Sequence, residues 1–388
     1  MARRQLAVAS PISIAAVGRA FIDAFLAEDA LASNAQALVR TRYGAPSVVL
    51  TNSGTSALVL ALRLSAGVDG VVGMPGYACV DLAAAARRAG VRVRLYDLDP
   101  VTLGPDLGSI EALMKRGASA IVVAHLYGYP ADVPAVRVLA TQYGAVVIED
   151  AAQGAGGALL GKRLGSFGDL GVLSFGRGKG LCAGGGGALL GFGDRWEKAV
   201  DAVALPSGGR GLPGVAKSVV QWALGRPALY GIPSMLPWLH LGEMVFHEAT
   251  EPRGMSLAAC SMLPSALALE TIELSTRRTH ARQLDRVAAT SSTVGMSIAI
   301  ADAVPGYLRY AVRDLAGGRA AVPSLGILQP YPQTLAEQPE LQPVLISGEP
   351  PTRGATELRR ALYTLPTHGF VREADLAALA EWLEGRKP

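Results

Sequence analysis

Between Val48 and Leu190 short apolar runs alternate with longer Ala/Leu-rich ones. SVVLT (47–51) precedes SALVLALRLSAG (56–67), and VVGMP (71–75) precedes DLAAAARRAG (81–90), which VRVRLYDLD (91–99) follows. AIVVAHL (120–126) then leads through VPAVRVLATQYG (133–144) into AVVIED (145–150), and LGVLSF (170–175) closes the series. Runs of about five β-branched residues fit strands, and the longer runs fit helices. Strand, helix, strand in repetition requires parallel strands joined by right-handed crossovers, with helices over both faces. The predicted fold is therefore α/β with an open, mostly parallel sheet, whose ligands sit beyond the carboxyl ends of its strands.

The chain has 388 residues, half of them hydrophobic and 18% charged, which suits a large folded protein of two domains rather than a disordered one. Its 36 basic and 32 acidic residues are scattered, with no basic stripe of the kind that tracks nucleic acid. Three widely spaced cysteines, Cys79, Cys182 and Cys260, include no CxxC pair. That argues against a disulfide framework or a structural zinc site and for a reducing compartment. In the first twenty residues Ser10, Pro11, Ser13, Gly18 and Arg19 interrupt the apolar run, so no signal-peptide core is read there and the expected location is cytoplasmic.

From Pro206 to Phe246 the chain turns rich in Pro, Gly, Trp and Leu with no clean period. Lys217, Gln221, Arg226, Pro227, Pro233 and Pro237 break it, so it does not read as a spanning helix of roughly 20 apolar residues. Trp222, Leu224, Leu229, Tyr230, Leu236, Trp238 and Leu239 beside Lys217 and Arg226 leave two readings: packing against the body or a partner, which is favoured, and contact with a membrane surface. A helical pattern returns from Ser256 to about Val294. After it come the strand YLRYAVRD (307–314), a Pro-rich loop and a final helix, EADLAALAEWLEGR (373–386). Residues 1–250 are read as a large domain carrying the 206–246 apolar insertion, and 251–388 as a smaller C-terminal one.

Four segments carry chemistry. Thr51-Asn52-Ser53-Gly54-Thr55-Ser56-Ala57 is a polar turn opening a helix, where free amides and the helix dipole suit an anion such as phosphate at Gly54 and Thr55. An ordinary N-cap is the plainer reading of it. Val147-Ile148-Glu149-Asp150-Ala151-Ala152-Gln153 places two carboxylates at the end of an apolar strand, where one can hold a heterocyclic nitrogen protonated; a cap or loop salt bridge is the alternative. Leu173-Ser174-Phe175-Gly176-Arg177-Gly178-Lys179-Gly180 offers a lysine nucleophile in a Gly-rich setting, with Arg177 as a cation suited to lowering its pKa. It is neither a GxxxxGK[ST] phosphate loop nor a GxGxxG dinucleotide turn. Gly184 to Gly187 form a backbone able to pass close to a ligand or another chain, or a simple turn.

Taken in order, SGTSAL, MPGYACVDLA, LYDLDPVTL, AHLYGYPAD, VIEDAAQGAGG, GKRLGSFGD, LSFGRGKGLCAGGGGAL and LYTLPTH resemble the DegT/StrS family of sugar aminotransferases, continuously from about Val48 to Leu190 and more thinly beyond. The resemblance implies the fold type I architecture of pyridoxal-phosphate enzymes. It also implies pyridoxal 5'-phosphate as cofactor and a homodimer whose sites are completed by the neighbouring subunit. Lys179 matches the family's Schiff-base lysine, Asp150 the aspartate on the pyridine nitrogen, and Gln153 the residue beside the ring's phenolic oxygen. Ser174 matches the phosphate-binding serine, alongside Gly54 and Thr55.

The chain also departs from the family. Cys79 falls where an aromatic residue commonly stacks on the ring. Gly185 stands where a glutamate is usual. The family's partner-subunit asparagine is not evident ahead of Arg253, the candidate substrate residue. No metal is expected.

The implied activity is transfer of an amino group from glutamate or glutamine to a keto-sugar, nucleotide-linked, or to a cyclitol, as in polysaccharide biosynthesis. A dehydratase of the same family is the rival within enzymes, although those replace the lysine with histidine. A non-catalytic ligand sensor is the rival outside them.

Overall fold

The computed structural model describes residues 4–26, 30–230, 246–348 and 350–386. The part of the apolar insertion from 231 to 245, which holds Leu236, Trp238 and Leu239, lies outside the described residues. Two helices open the chain, α1 (Ile14–Leu26) and α2 (Ala30–Tyr43). A regular series follows: β1 (Ser47–Thr51), α3 (Gly54–Ala66), β2 (Val71–Pro75), α4 (Asp81–Ala89), β3 (Arg92–Tyr96), α5 (Leu107–Lys115), β4 (Ala120–Ala124), α6 (Val133–Gln142) and β5 (Val146–Asp150). The short strands β6 (Ala158–Leu159) and β7 (Lys162–Arg163) come before β8 (Leu170–Ser174) and β9 (Gly187–Gly191).

The seven long strands form one sheet in the order β1-β9-β8-β5-β4-β2-β3. Adjacent pairs from β8 to β3 are parallel, whereas β9 runs antiparallel between β1 and β8. The architecture is α/β with a mostly parallel central sheet, as the alternation predicts. The antiparallel β9 is what the alternation does not announce, and the glycines before it explain it. Gly184, Gly185 and Gly186 all take positive φ (75°, 147° and 100°), a region that side chains strongly disfavour, and so turn the chain back into the sheet.

The central strands β2, β4 and β5 are buried almost throughout, so they read as continuous apolar runs rather than alternations. One core unites α3, α4, α5 and α6 with strands β2 to β5; a second lies between α1, α2, strands β1, β8 and β9, and the start of the next long helix.

That helix comes after α7 (Asp194–Asp201), α8 (Leu212–Leu224) and the single turn α9 (Pro227–Tyr230). It is α10 (Leu257–Ala288), capped by Ser256, whose side chain accepts from Ala259 N. By length and composition α10 could cross a membrane, yet half of its apolar window is buried inside the fold, as in a core helix. The described part of the insertion, which shows no period in sequence, forms α8 and packs on α1 and α10. After α10 come β10 (Val294–Met296), β11 (Ala303–Val304), β12 (Tyr310–Asp314), α11 (Arg353–Ala361), β13 (Leu362–Leu365) and α12 (Glu373–Leu383). Strands β10, β12 and β13 make an antiparallel sheet covering a third core with the end of α10 and α12, while β11 pairs with β6.

Candidate functional site

Strands β1, β2, β4, β5 and β8 deliver their carboxyl ends to one cleft. Its empty volume, measured out to the mouth, is about 520 Å³. The lining includes Gly54 and Thr55 after β1, Cys79 and Asp81 after β2, and His125 after β4. Asp150 and Gln153 come from the end of β5, and Ser174 and Lys179 from the end of β8. Seven of the eight residues singled out from sequence therefore converge. Arg253 does not: it is exposed, and its backbone pairs with Asn52 at 2.9 and 3.2 Å rather than reaching the cleft.

At the start of α3, the Ser53 hydroxyl accepts from Ser56 N at 3.0 Å, and Ala57 N closes on Ser53 O. The capping serine thus serves deeper amides and leaves those of Gly54 and Thr55, at the cleft, as donors without an intrahelical acceptor. Two glycines permit the close approach. A Cβ on Gly54 would lie 2.6 Å from Ser174 Cβ, and one on Gly187 would lie 2.6 Å from Gly54 N and 2.7 Å from Leu173 O. The fourth glycine of the run, which sequence leaves open between a close pass and a simple turn, is a close backbone pass.

The two carboxylates ending β5 are separated in role. Glu149 is sealed and accepts from Gly165 N (2.6 Å), Phe167 N (2.6 Å) and Gly168 N (3.0 Å), and it meets His125 Nε2 at 2.8 Å. Asp150 lines the cleft, with Ala152 N donating to one oxygen at 2.9 Å. Burial pushes its carboxyl above the usual range, against the pull of Ala152 N, Lys179 and His125. An opposite charge or a donor on a ligand would therefore be stabilised there.

Lys179 is largely buried, with Asp81 Oδ2 3.9 Å from Nζ. Burial by itself lowers its pKa, but Cys79, Asp81 and Asp150 outweigh that and hold the ammonium above its ordinary value. This corrects the expectation of a cationic setting. Arg177 is exposed, and its charge acts on Cys182 and Tyr230. Cys79 stays a neutral thiol, pushed up to about 12 by burial and then by Asp81.

Gln153 is oriented by partners the sequence does not flag. Tyr127 N, a donor only, gives its hydrogen to Gln153 Oε1 at 3.0 Å, which fixes which end of the amide is nitrogen. That nitrogen donates to Tyr331 Oη at 2.8 Å and keeps a second hydrogen for the cleft that Gln153 lines. Tyr127 reaches this position in a left-handed conformation (φ 55°), a strain found where surroundings over-determine the backbone. Tyr77, Tyr127 and Tyr331 stack around one another, with the buried Arg309 beside them. No group of three or more potential metal-ligating side chains occurs among the described residues.

Fold and cleft define a class: an open α/β protein with free amides at a helix start, a buried carboxylate and a lysine at the carboxyl ends of parallel strands. Residues 33–208, a little under half of the chain, match the DegT/DnrJ/EryC1/StrS aminotransferase family, the family its motifs resemble. It is 40% identical over 139 residues to the UDP-N-acetyl-3-dehydro-alpha-D-glucosamine 3-aminotransferase of Acidithiobacillus ferrooxidans, covering 36% of this chain and 38% of that protein. Over 150 residues it is 39% identical to the L-glutamine:2-deoxy-scyllo-inosose aminotransferase of Streptoalloteichus tenebrarius, covering 38% of this chain and 35% of that one. The chain thus aligns with less than two-fifths of these curated relatives. The fold is shared over nearly the whole length with the sugar aminotransferase CalS13 of Micromonospora echinospora: TM-score 0.74, 21% identity, 97% of this chain and 98% of that one.

Proposed function

We propose that this chain is a pyridoxal 5'-phosphate-dependent aminotransferase that moves an amino group from glutamate or glutamine to the ketone of a nucleotide-linked sugar or of a cyclitol. One observation carries the reading: Lys179, Asp150 and the start of α3 line the same cleft, although they come from three different strand ends. The residues fit the cofactor. Gly54 and Gly187 let backbone amides and the Ser174 hydroxyl crowd together where a phosphate would sit, a buried carboxylate suits a ring nitrogen, and a lysine stands within the same walls. The names of the two curated relatives point to keto-sugars and keto-cyclitols as acceptors.

Bound there, the cofactor would supply an electron sink for the carbon that loses its proton. The chain's residues do the rest. Amides of Gly54 and Thr55 with Ser174 Oγ would hold the phosphate, and Asp150 would keep a proton on the ring nitrogen. The spare hydrogen of the Gln153 amide would be free for the phenolic oxygen, and Cys79 would pack beside the ring. Lys179 Nζ would anchor the cofactor and, once released, carry the proton between donor and acceptor carbons.

In this reading residues 1–250 bind the cofactor and 251–388 form the smaller unit, in the cytoplasm. The protein acts as a homodimer without nucleic acid. Exposed Ile14, Phe21, Ile22 and Phe25 on α1, with Val219 and Val220 on the α8 that packs against it, supply an apolar face suited to a second copy more than to a membrane. Arg253, outside the cleft of its own subunit, would meet substrate only from the neighbouring one.

Borohydride reduction of the cofactor-loaded protein should fix the cofactor on the peptide containing Lys179, and Lys179→Ala should abolish that adduct. The pyridoxamine form should then lose its amino group to a keto-sugar or keto-cyclitol. Retention of a reducible adduct in Lys179→Ala would overturn the reading.

A further inference from the structure

Asp81 is the first residue of α4, on the chain segment that also brings Cys79 to the cleft. Its carboxylate has no part in the cofactor chemistry proposed above, yet it lines the same cleft and stands 3.9 Å from Lys179 Nζ. The lysine therefore has carboxylates from two elements: Asp150 at the end of β5 and Asp81 on α4. The two differ in surroundings. Asp150 is 9% exposed and accepts from Ala152 N, whereas the Asp81 side chain is 41% exposed, at the water-facing side of the lysine.

We infer that Asp81 is a positioning residue for Lys179, holding its cationic nitrogen at the reacting face both when Nζ is free and when it is attached to cofactor. This rests on the cofactor reading above. If Asp150 is engaged by the ring nitrogen, Asp81 is the carboxylate that remains for the lysine. A free ammonium on a four-carbon stem otherwise has several rotamers, most of them useless for proton transfer. A single anion near 4 Å restricts them to those that keep Nζ over the cleft.

The groups facing Lys179 are few. Cys79 and Asp81 approach from the β2–α4 segment and Asp150 from β5, with His125 acting on Asp150 and Cys79 acting in turn on Tyr331. Cys79, Asp81 and Asp150 together hold the lysine's proton affinity up against burial, and Asp81 and Asp150 are the carboxylates among them.

The test uses the full chain loaded with cofactor, comparing wild type, Asp81→Asn and Asp81→Glu. The visible absorbance of the cofactor attached at Lys179 is titrated with pH. Loss of the anion should move that transition downward by about half to one pH unit, the Coulomb effect being discounted for solvent at a part-exposed site. The single-turnover half-reaction with glutamate should slow about tenfold at unchanged donor KM, and Asp81→Glu should restore both readouts in part. An Asp81→Asn protein that titrates and turns over like wild type overturns the inference. Failure of the underlying reading looks different: there, wild type itself gives no Lys179 adduct on reduction.

Discussion

His125 Nε2 lies 2.8 Å from Glu149 Oε1, with both side chains fully sealed from solvent. Ala131 N donates to the other imidazole nitrogen at 3.0 Å, so the ring proton sits on Nε2 and points at the carboxylate. With three backbone amides of the 165–168 turn also donating to it, Glu149 fastens the ends of β4 and β5 to the chain entering β8. Asp150, one residue on and pointing to the opposite face of the strand, is left for the cleft.

Glu149→Gln should therefore damage the scaffold rather than the chemistry alone. One oxygen becomes an NH2 that faces donors, which leaves amides unpaired in a sealed site. We expect a loss of roughly 3–5 kcal/mol in urea unfolding, the range for breaking a buried charged pair. A loss below about 1 kcal/mol would show that the turn does not depend on this carboxylate.

Asp150→Asn should do the reverse. The fold should be unaffected or slightly more stable, because the carboxylate is held above its usual range by burial. Cofactor should remain attached to Lys179, while the half-reaction with glutamate slows by about a hundredfold or more, the low end for losing a positioned proton. Near-normal single-turnover rates would remove Asp150 from the mechanism.

Much of this was legible in the sequence because the relevant physics is local. Parallel strands buried on both faces must read as short apolar runs whose ends meet at one edge, so β1, β2, β4, β5 and β8 and seven residues that line the cleft could be read directly, whereas His125 and Asp81, which also line it, carried no signal. Three things could not. Glu149 and Asp150 are adjacent carboxylates, and only tertiary partners distinguish them. Lys179 sits among anions contributed by residues 29 and 98 positions earlier, Asp150 and Asp81, which no local pattern encodes, whereas the neighbouring Arg177 turns outward. The Tyr127–Gln153–Tyr331 chain joins a strained backbone position to a Pro-rich loop that has no periodicity. A tyrosine in an otherwise polar, Pro-rich stretch is the one signal that could have drawn attention to Tyr331.

Gly187→Ala tests the backbone approach at the anion site. The added methyl would press on Gly54 N and Leu173 O, both backbone atoms with little freedom to yield. Pairing of β9 with β1 and β8 would have to shift, and the amides at the start of α3 with it. Affinity for pyridoxal phosphate should drop at least about tenfold, the effect of losing one charge-assisted hydrogen bond. Affinity for pyridoxal without its phosphate should change much less. Equal losses for both ligands would place the damage elsewhere.

His368 makes stability depend on pH far from the cleft. It is completely buried; Nε2 donates to Leu6 O at 2.9 Å, and Phe370 N donates to Nδ1 at 3.3 Å, so the ring is built in neutral. Burial first, then Arg277, His280 and Arg309, lower its pKa from 6.5 to about 4, against the pull of Leu6 O. Below pH 6.5 the unfolded chain gains a proton that the folded chain refuses, until the pH falls through about 4. The stability this histidine confers is therefore whole above 6.5 and declines toward 4, by about 3 kcal/mol across that window. His368→Gln retains a donor for Leu6 O and cannot titrate, so its unfolding free energy should fall less steeply with acid than that of wild type. Parallel curves for the two proteins, measured by urea unfolding from pH 7 to 4, would show that protonation of His368 does not open the contact between LPTH and the amino-terminal segment.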